Sequence, residues 1–385
     1  MKIALCSKGN FSLEKGFTKN RIELAESLEK LGWETVLVDK QKLGIPSEER
    51  YQPQRHSLAL KEYLLKNQNE FDVVLYEYDT LPFDRNIFSE NTLFVARPAI
   101  LAYHFPRIKF RYNLKTRLSL FYRKFSKYLK GKSNPQPYLE RVQYCLSQSD
   151  LIQVQNKKDR DLLVQKGFSS EKIIIVPNGV TPERISDFGD YHHSCQEPFK
   201  VAFVGSFDFR KGAMDFPHIL KELKRQFPSI KFKLLGTRGM FQTREQVLKF
   251  FPAKDWESIE VKPNFKAEEL PGLLEDCHVG IFPSYLESFG FGALEMMCAG
   301  LPVVAYNSPG PSDFVLPELL VPRGKYIPMA EKVIALLEDE KMLRQFSERA
   351  RQTVLDNYRW DEIAKKVDNH YRTHLSRLQK MAVAG

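Results

Sequence analysis

The stretch Pro283-Ser-Tyr-Leu-Glu287-Ser-Phe-Gly290-Phe-Gly-Ala-Leu-Glu295-Met-Met-Cys-Ala-Gly300-Leu-Pro302-Val-Val-Ala305 carries the reading of the fold. The apolar run Val279 to Phe282 before it has the length and composition of a buried strand. A glycine-containing turn follows, and the pattern predicts a helix that begins near Gly290 and stops at Gly300, a favoured residue just past a helix end. Pro302 to Ala305 is a second apolar run, so the unit reads as strand, helix and parallel strand. The carboxyl end of a parallel strand followed by a helix N-terminus makes a phosphate site, because free backbone N–H groups and the helix dipole both favour an anion. Gly290 lets the backbone approach such a ligand closely. Glu287 lies in the turn and Glu295 eight residues later, so the two carboxylates are expected to face one ligand from different depths. An acid beside phosphate is repelled by it, which leaves Glu287 the work of accepting hydrogen bonds from hydroxyls.

Outward from this unit, apolar runs alternate with helical patterns through most of the chain, the signature of parallel sheets with crossover helices. The first half has Ile3 to Cys6, Thr35 to Val38, Val73 to Tyr76, Leu93 to Ala96, Leu151 to Val154 and Ile173 to Val176, with helical spacing from Asn20 to Leu31. The polar stretch Thr181 to Pro198 reads as a linker. Beyond it come Val201 to Val204, Phe232 to Leu235, Ile259 to Val261, Val279 to Phe282 and Pro302 to Ala305. The expected fold class is α/β, with two Rossmann-like doubly wound domains, 1–185 and 196–360. A last helix, about 361–385, is expected to pack back on the first domain.

The chain has 385 residues, long enough for two such cores, and 43% of them are hydrophobic, which excludes a disordered chain. No run approaches the ~20 apolar residues of a membrane span, and the N-terminus turns polar at Ser7, too early for a secretory signal. Five cysteines, widely spaced and without a C-x-x-C pair, suggest neither disulfides nor a zinc cage, and a reducing cytoplasm is the expected compartment. The net charge of +10 is local: 105–132 holds ten basic residues and no acid. Within that span Leu114, Leu118, Phe121, Phe125 and Leu129 recur at three- and four-residue steps, with Lys115, Arg123, Lys124, Lys127 and Lys130 between them. This amphipathic basic helix fits an anionic membrane surface, peripherally on the inner face, and equally a stripe packed on its own domain. Nucleic acid is the weaker reading, since no binding motif accompanies the charge.

Glu287-x7-Glu295, followed by Cys298-Ala-Gly-Leu-Pro-Val-Val-Ala, resembles the E-x7-E signature of the group-one (family 4) retaining glycosyltransferases with the GT-B fold. Phe203-Val-Gly205-Ser-Phe-Asp-Phe-Arg-Lys211-Gly212 resembles the family's glycine-rich phosphate segment, and Ile174-Ile-Val-Pro177-Asn178-Gly179-Val180 the turn that closes its first domain. Trp360 at the start of the last helix is similar too. The resemblance covers about Leu151 to Tyr371 and reaches the first 150 residues in outline.

The resemblance implies two lobes facing a central cleft, and a sugar moved from a nucleoside-diphosphate donor onto a glycan or lipid-linked acceptor of cell-envelope or surface-polysaccharide synthesis. It implies that Lys211 pairs with the diphosphate, that the N–H groups of Ser288, Phe289 and Gly290 bind the same phosphates or the sugar, that Glu287 takes the sugar hydroxyls and that Glu295 takes the ribose hydroxyls. Gly205 belongs to the same donor segment. No metal or other cofactor is expected: cations and N–H dipoles at the leaving phosphate lower the barrier, and the leaving phosphate takes the acceptor proton. Asp159-Arg160-Asp161 is the only D-x-D text and reads as a solvated helix face. Two departures stand out. Ser206 occupies the position where the family has Arg, with Arg210 the candidate substitute, and Pro309-Gly310-Pro-Ser-Asp313 replaces the family's Gly-Gly-x-x-Glu turn.

Further candidates are His104 as the family's first-domain histidine, Gly9 and Gly16 in an acceptor and phosphate loop after the first strand, and Arg238 at another strand end. Their bland readings are a packing histidine, turn glycines and an exposed arginine. His192 and His193 fall in the linker and read as solvated. A sugar-nucleotide epimerase or phosphorylase on the same fold stays open, as does a non-catalytic nucleotide-sugar or nucleic-acid binder, motivated by Ser206.

Overall fold

The computed structural model describes residues 1–12, 16–129, 136–189 and 196–384, and of these the side chains of 16–17, 123–129, 136 and 381–384 are not described. His192, His193 and Cys195 lie outside the described residues. The strands are β1 (Lys2–Cys6), β2 (Glu34–Val38), β3 (Val73–Glu77), β4 (Leu93–Arg97), β5 (Leu151–Val154), β6 (Ile173–Ile175), β7 (Lys200–Val204), β8 (Lys231–Leu235), β9 (Ile259–Lys262), β10 (Val279–Phe282), β11 (Val303–Tyr306) and β12 (Leu320–Val321). The α-helices are α1 (Gly16–Glu29), α2 (Pro53–Lys66), α3 (Leu114–Leu129), α4 (Gln136–Ser147), α5 (Lys157–Gln165), α6 (Pro182–Asp187), α7 (Phe216–Gln226), α8 (Arg244–Leu248), α9 (Leu270–Leu274), α10 (Phe291–Cys298), α11 (Tyr326–Glu338), α12 (Glu340–Asn357) and α13 (Trp360–Ala384).

The strands form two six-stranded sheets, ordered β2-β1-β3-β4-β5-β6 and β12-β11-β10-β7-β8-β9. Every pairing is parallel, as the near-continuous apolar runs require of strands covered on both sides. In the first sheet the pleat sorts side chains onto two cores. Ile3, Leu5, Val73, Leu75, Leu93 and Val95 pack with Leu24 and Leu28 of α1 and with Trp360, Ile363, Val367 and Tyr371 of α13. Ala4, Cys6, Val74, Tyr76, Phe94 and Ala96 pack with Leu60 and Leu64 of α2 and Val142 and Leu146 of α4. The carboxy-terminal helix thus covers a face of the first sheet. Trp360 is fully buried and its indole N–H donates to Glu23 Oε2 at 2.9 Å.

The chain divides into two compact units: one of 1–103, 134–181 and 359–385, the other of 104–133 and 182–358. Residues 104–133 therefore group with the second unit, although the sequence places them inside 1–185. The physical reason is an ion pair between Arg111 and the buried Asp215, backed by ring contacts of Phe110 and Tyr112. The Pro177-Asn178-Gly179 turn closes the first unit: Val180 pairs with Arg359 in a β-bridge, and the Trp360 N–H donates to Val180 O at 3.1 Å.

One expectation needs correction. Asp159 is buried and only Asp161 is exposed. Residues two apart on a helix point about 200° from each other, so one faces in when the other faces out. Cys6, Cys145, Cys277 and Cys298 are free and buried, and burial pushes the Cys6 thiol up to about 12.

Candidate functional site

In the second sheet the strand order reverses between β7 and β10: the chain runs outward through β8 and β9 on one side and through β11 and β12 on the other. In an open parallel sheet the loops at the carboxyl ends of the two strands flanking such a reversal form the ligand crevice. Here they are 205–212 after β7 and 283–290 after β10, the two stretches singled out in the sequence. The Tyr285 N–H donates to Arg210 O at 2.8 Å, and the Arg210 guanidinium donates to Leu286 O at 2.7 Å, so the two loops are laced together.

Glu287 lies at the centre, 8% exposed. Its Oε1 is 2.8 Å from Lys211 Nζ and 3.1 Å from Arg210 Nη1, and it accepts from Ser284 Oγ at 2.6 Å. Burial alone would raise the Glu287 carboxyl; Lys211 and Arg210 overcome it and hold the group down at about 2, so it is ionised at neutral pH and can only accept hydrogen bonds. Lys211 is fixed from below by Asp208, whose Oδ1 accepts its backbone N–H at 3.0 Å. Ser206, standing where a second cation was expected, donates to Asp208 Oδ2 at 3.2 Å, and Arg210 brings a guanidinium to Glu287 instead.

The start of α10 is shaped by two glycines. Gly290 has φ +108°, the left-handed region, and caps the helix. A Cβ on Gly292 would lie 1.8 Å from Val204 O, so only glycine lets the first turn of α10 press against the end of β7. The sequence reading named Gly290 and missed Gly292, whose requirement comes from a neighbour 88 residues away.

Of the remaining predicted residues, Gly205 precedes the Lys211 loop with φ +145°. Ser288 and Phe289 sit in the turn before α10, and the Phe289 ring is buried against Phe314 and Tyr358, leaving only its backbone to a ligand. Glu295 is the fifth residue of α10 and half-buried. Arg238 is exposed, in a loop that lies against 205–212, and donates to Gln242 Oε1 at 3.1 Å. His104 lies in the 3-10 turn Ala102–Arg107, buried, and is not among the partners of Glu287.

The first unit has its own reversal, between β1 and β3. Lys8 pairs there with Asp79, and Arg21 with Glu77 at 2.7 Å. Arg97, at the end of β4, donates to Asn20 Oδ1 at 3.0 Å and to Asn178 Oδ1 at 2.6 Å, and burial lowers it to about 9. These charges are not legible in the sequence, because their partners lie on separate elements and no local pattern pairs them. Gly9 donates its N–H to Ser7 Oγ in this loop and Gly16 opens α1; 13–15 lie outside the described residues. Among the described residues no three His, Cys, Asp or Glu side chains gather to hold a metal ion.

Residues 192–353 match the family described as glycosyl transferases group 1, a span that contains both loops of the site. The chain carries a group-one glycosyltransferase domain. It is 23% identical over 236 residues to an uncharacterized glycosyltransferase of Methanocaldococcus jannaschii, covering 59% of this chain and 61% of that protein. It is 21% identical over 188 residues to the capsular polysaccharide biosynthesis glycosyltransferase CapM of Staphylococcus aureus, covering 48% of this chain and 49% of that protein. The chain thus spans about half to three-fifths of the length of these curated relatives. Among solved structures, HepE of Anabaena in complex with UDP superposes with a TM-score of 0.67 at 18% identity, over 97% of this chain and 100% of that one. At that identity the likeness speaks for the fold, which is GT-B.

Proposed function

We propose that this chain is a retaining glycosyltransferase that moves a sugar from a nucleoside diphosphate to a glycan or lipid-linked acceptor, in the synthesis of a cell-envelope or surface polysaccharide. One observation carries the reading: Lys211 and Arg210 converge on Glu287 at the strand-order reversal of the matched domain, beside the glycine-capped start of α10. The UDP bound by the structurally similar HepE and the capsular role in the name of the CapM relative support it.

Cleaving the bond between sugar C1 and the diphosphate builds negative charge on the leaving oxygen and positive charge on the sugar ring. Lys211, with Arg210 and the amide end of α10, stabilises the first, and preorganised cations and N–H groups are worth most where water is excluded. Glu287, ionised and able only to accept, orients the donor sugar through its hydroxyls. Glu295 takes the ribose hydroxyls. The leaving phosphate accepts the proton of the acceptor hydroxyl on the face it departs from, which gives retention, and this route asks for no metal. His104 has no assigned step in it.

The basic helix gives the peripheral-membrane part of the reading. On α3, Leu114, Leu118 and Phe121 recur at helical spacing and are 71%, 50% and 65% exposed, with Lys115 and Arg117 exposed beside them. An apolar stripe of this kind, flanked by cations, suits a surface of anionic lipid. No helix among the described residues is long and apolar enough to cross a membrane.

The test is a thermal-shift ranking of UDP, GDP, ADP and TDP sugars followed by hydrolysis of the best. Stabilisation by one base class, with slow hydrolysis lost in Glu287→Ala, supports the reading. No shift with any of them, or hydrolysis undiminished in that variant, contradicts it.

A further inference from the structure

The second unit includes a segment, 104–133, that lies outside the matched domain in sequence, and the two residues on either side of Arg111 in it each touch one loop of the donor site. The Phe110 ring stands edge-on to Tyr285, with centroids 6.0 Å apart, in the 283–290 loop. The Tyr112 ring stands edge-on to Phe209 at 5.2 Å, in the 205–212 loop and next to Arg210. Between them Arg111 pairs with Asp215, lies over the Tyr326 ring at 5.3 Å and reaches Gly324 O at 3.5 Å.

Asp215 makes this arrangement more than a surface contact. Its side chain is fully buried, and it accepts from the hydroxyls of Tyr285 at 2.8 Å and Tyr306 at 2.9 Å. Burial raises the Asp215 carboxyl, and the Tyr285 hydroxyl, Arg111 and the Tyr306 hydroxyl all oppose it, so Arg111 is the cation paired with a buried carboxylate that also grips Tyr285, and removing it leaves that carboxylate without its charge partner. Tyr285 is two residues before Glu287, and its backbone N–H holds Arg210 O. A chain of direct contacts therefore runs from Arg111 through Asp215 and Tyr285 to the backbone that presents Glu287 and to the backbone that presents Arg210 and Lys211. Arg111 itself touches none of those three.

We propose that Phe110-Arg111-Tyr112 is a clamp on the two donor loops, and that Arg111 is a positioning residue for the Lys211–Glu287 site. The role assigned to that site rests on the donor reading above. The clamp itself is a statement about loop order and can be tested without a ligand. It also fixes the root of α3, which starts two residues after Tyr112, to the donor unit.

The experiment compares Arg111→Ala, Arg111→Lys and Phe110→Leu with the wild-type chain by amide hydrogen exchange without ligand, and by calorimetric binding of whichever of UDP, GDP, ADP and TDP the wild type binds. The expected result for Arg111→Ala is faster exchange concentrated in 205–212 and 283–290, with binding at least tenfold weaker. Arg111→Lys, which keeps a cation on Asp215 but not the planar contact over the Tyr326 ring, should fall between Arg111→Ala and wild type in both readouts. If Arg111→Ala does not fold, Phe110→Leu should show the same pattern in weaker form. Exchange that rises evenly over the unit, or binding unchanged in both variants at a temperature well below melting, overturns the clamp. Faster loop exchange in a chain that binds none of the four nucleotides would instead remove the donor reading and leave the clamp standing.

Discussion

Glu287→Gln is the perturbation whose sign separates this account from a merely structural salt bridge. Glu287 is held at about 2 against an ordinary 4.5. At 1.36 kcal/mol for each tenfold in the proton equilibrium, that is about 3 kcal/mol of preference for the ionised form. The Lys211 and Arg210 contacts at 2.8 and 3.1 Å supply this preference together with Ser284, against the opposing cost of burial. A diphosphate entering the site must draw both cations away from that carboxylate. With a neutral amide in its place the competition is gone, so a bare nucleoside diphosphate should bind tighter, by roughly tenfold and by no more than the ~150-fold that about 3 kcal/mol allows. Turnover of the nucleotide sugar should move the other way. An amide is a poorer acceptor for the sugar hydroxyls, and losing a charge-assisted hydrogen bond costs about 1.5 to 3 kcal/mol, a drop of roughly 10- to 150-fold in kcat/KM. The variant should also melt lower when empty and gain more from added diphosphate than the wild type does. Titration calorimetry at neutral pH with a matched transfer or hydrolysis assay reads both signs. A folded variant whose diphosphate affinity is unchanged or weaker would refute the reasoning, because Lys211 and Arg210 would then not be the groups the diphosphate seeks.

Three further outcomes are expected. Trp360→Ala should cost about 3 to 5 kcal/mol of stability in urea denaturation, since it empties a fully buried site under the first sheet and removes the indole donor to Glu23; a loss below about 1 kcal/mol would show α13 to be weakly docked. Sedimentation with vesicles rich in anionic lipid should fall steeply with salt and with Lys115→Glu and Arg117→Glu together, each cation being worth about 1 kcal/mol at such a surface, while salt-insensitive or absent binding would end the membrane role of α3. Acid should erode stability in a defined window. The depressed Glu287 carboxyl contributes fully above its unfolded value of 4.5, and the contribution is lost as pH falls from there through about 2. Urea midpoints followed down this range should drop less in Glu287→Gln than in the wild type, and parallel curves would count against the pairing.

The sequence carried the parallel strands well because each is buried on both sides and reads as an unbroken apolar run, as in Val73 to Tyr76 and Val279 to Phe282. The missed strand, β12, has only two residues, Leu320–Val321, too short to show any period. The start of α1 was placed at Asn20 because the apolar spacing begins there; the helix already runs from Gly16. Lys211, Arg210 and Glu287 were legible chiefly through the resemblance of the two segments that carry them to the family's glycine-rich phosphate segment and E-x7-E signature. What stayed hidden was pairing over long separations. Arg111 and Asp215 are 104 residues apart, and the arginine lies in a cationic run whose bulk charge hides a residue with a buried partner. The Arg21–Glu77 pair and the Asn20 and Asn178 contacts of Arg97 escaped for the same reason, since no local pattern foretells which buried charges meet.

The central claim is that the loops after β7 and β10 form a pyrophosphate cradle, and a crystal structure of the chain with its preferred nucleoside diphosphate tests it most directly. The account predicts phosphate oxygens within hydrogen-bond reach of Lys211 Nζ and of backbone N–H groups at the start of α10, with the Lys211–Glu287 contact broken. A nucleotide seated elsewhere, with Lys211 still on Glu287, would contradict it.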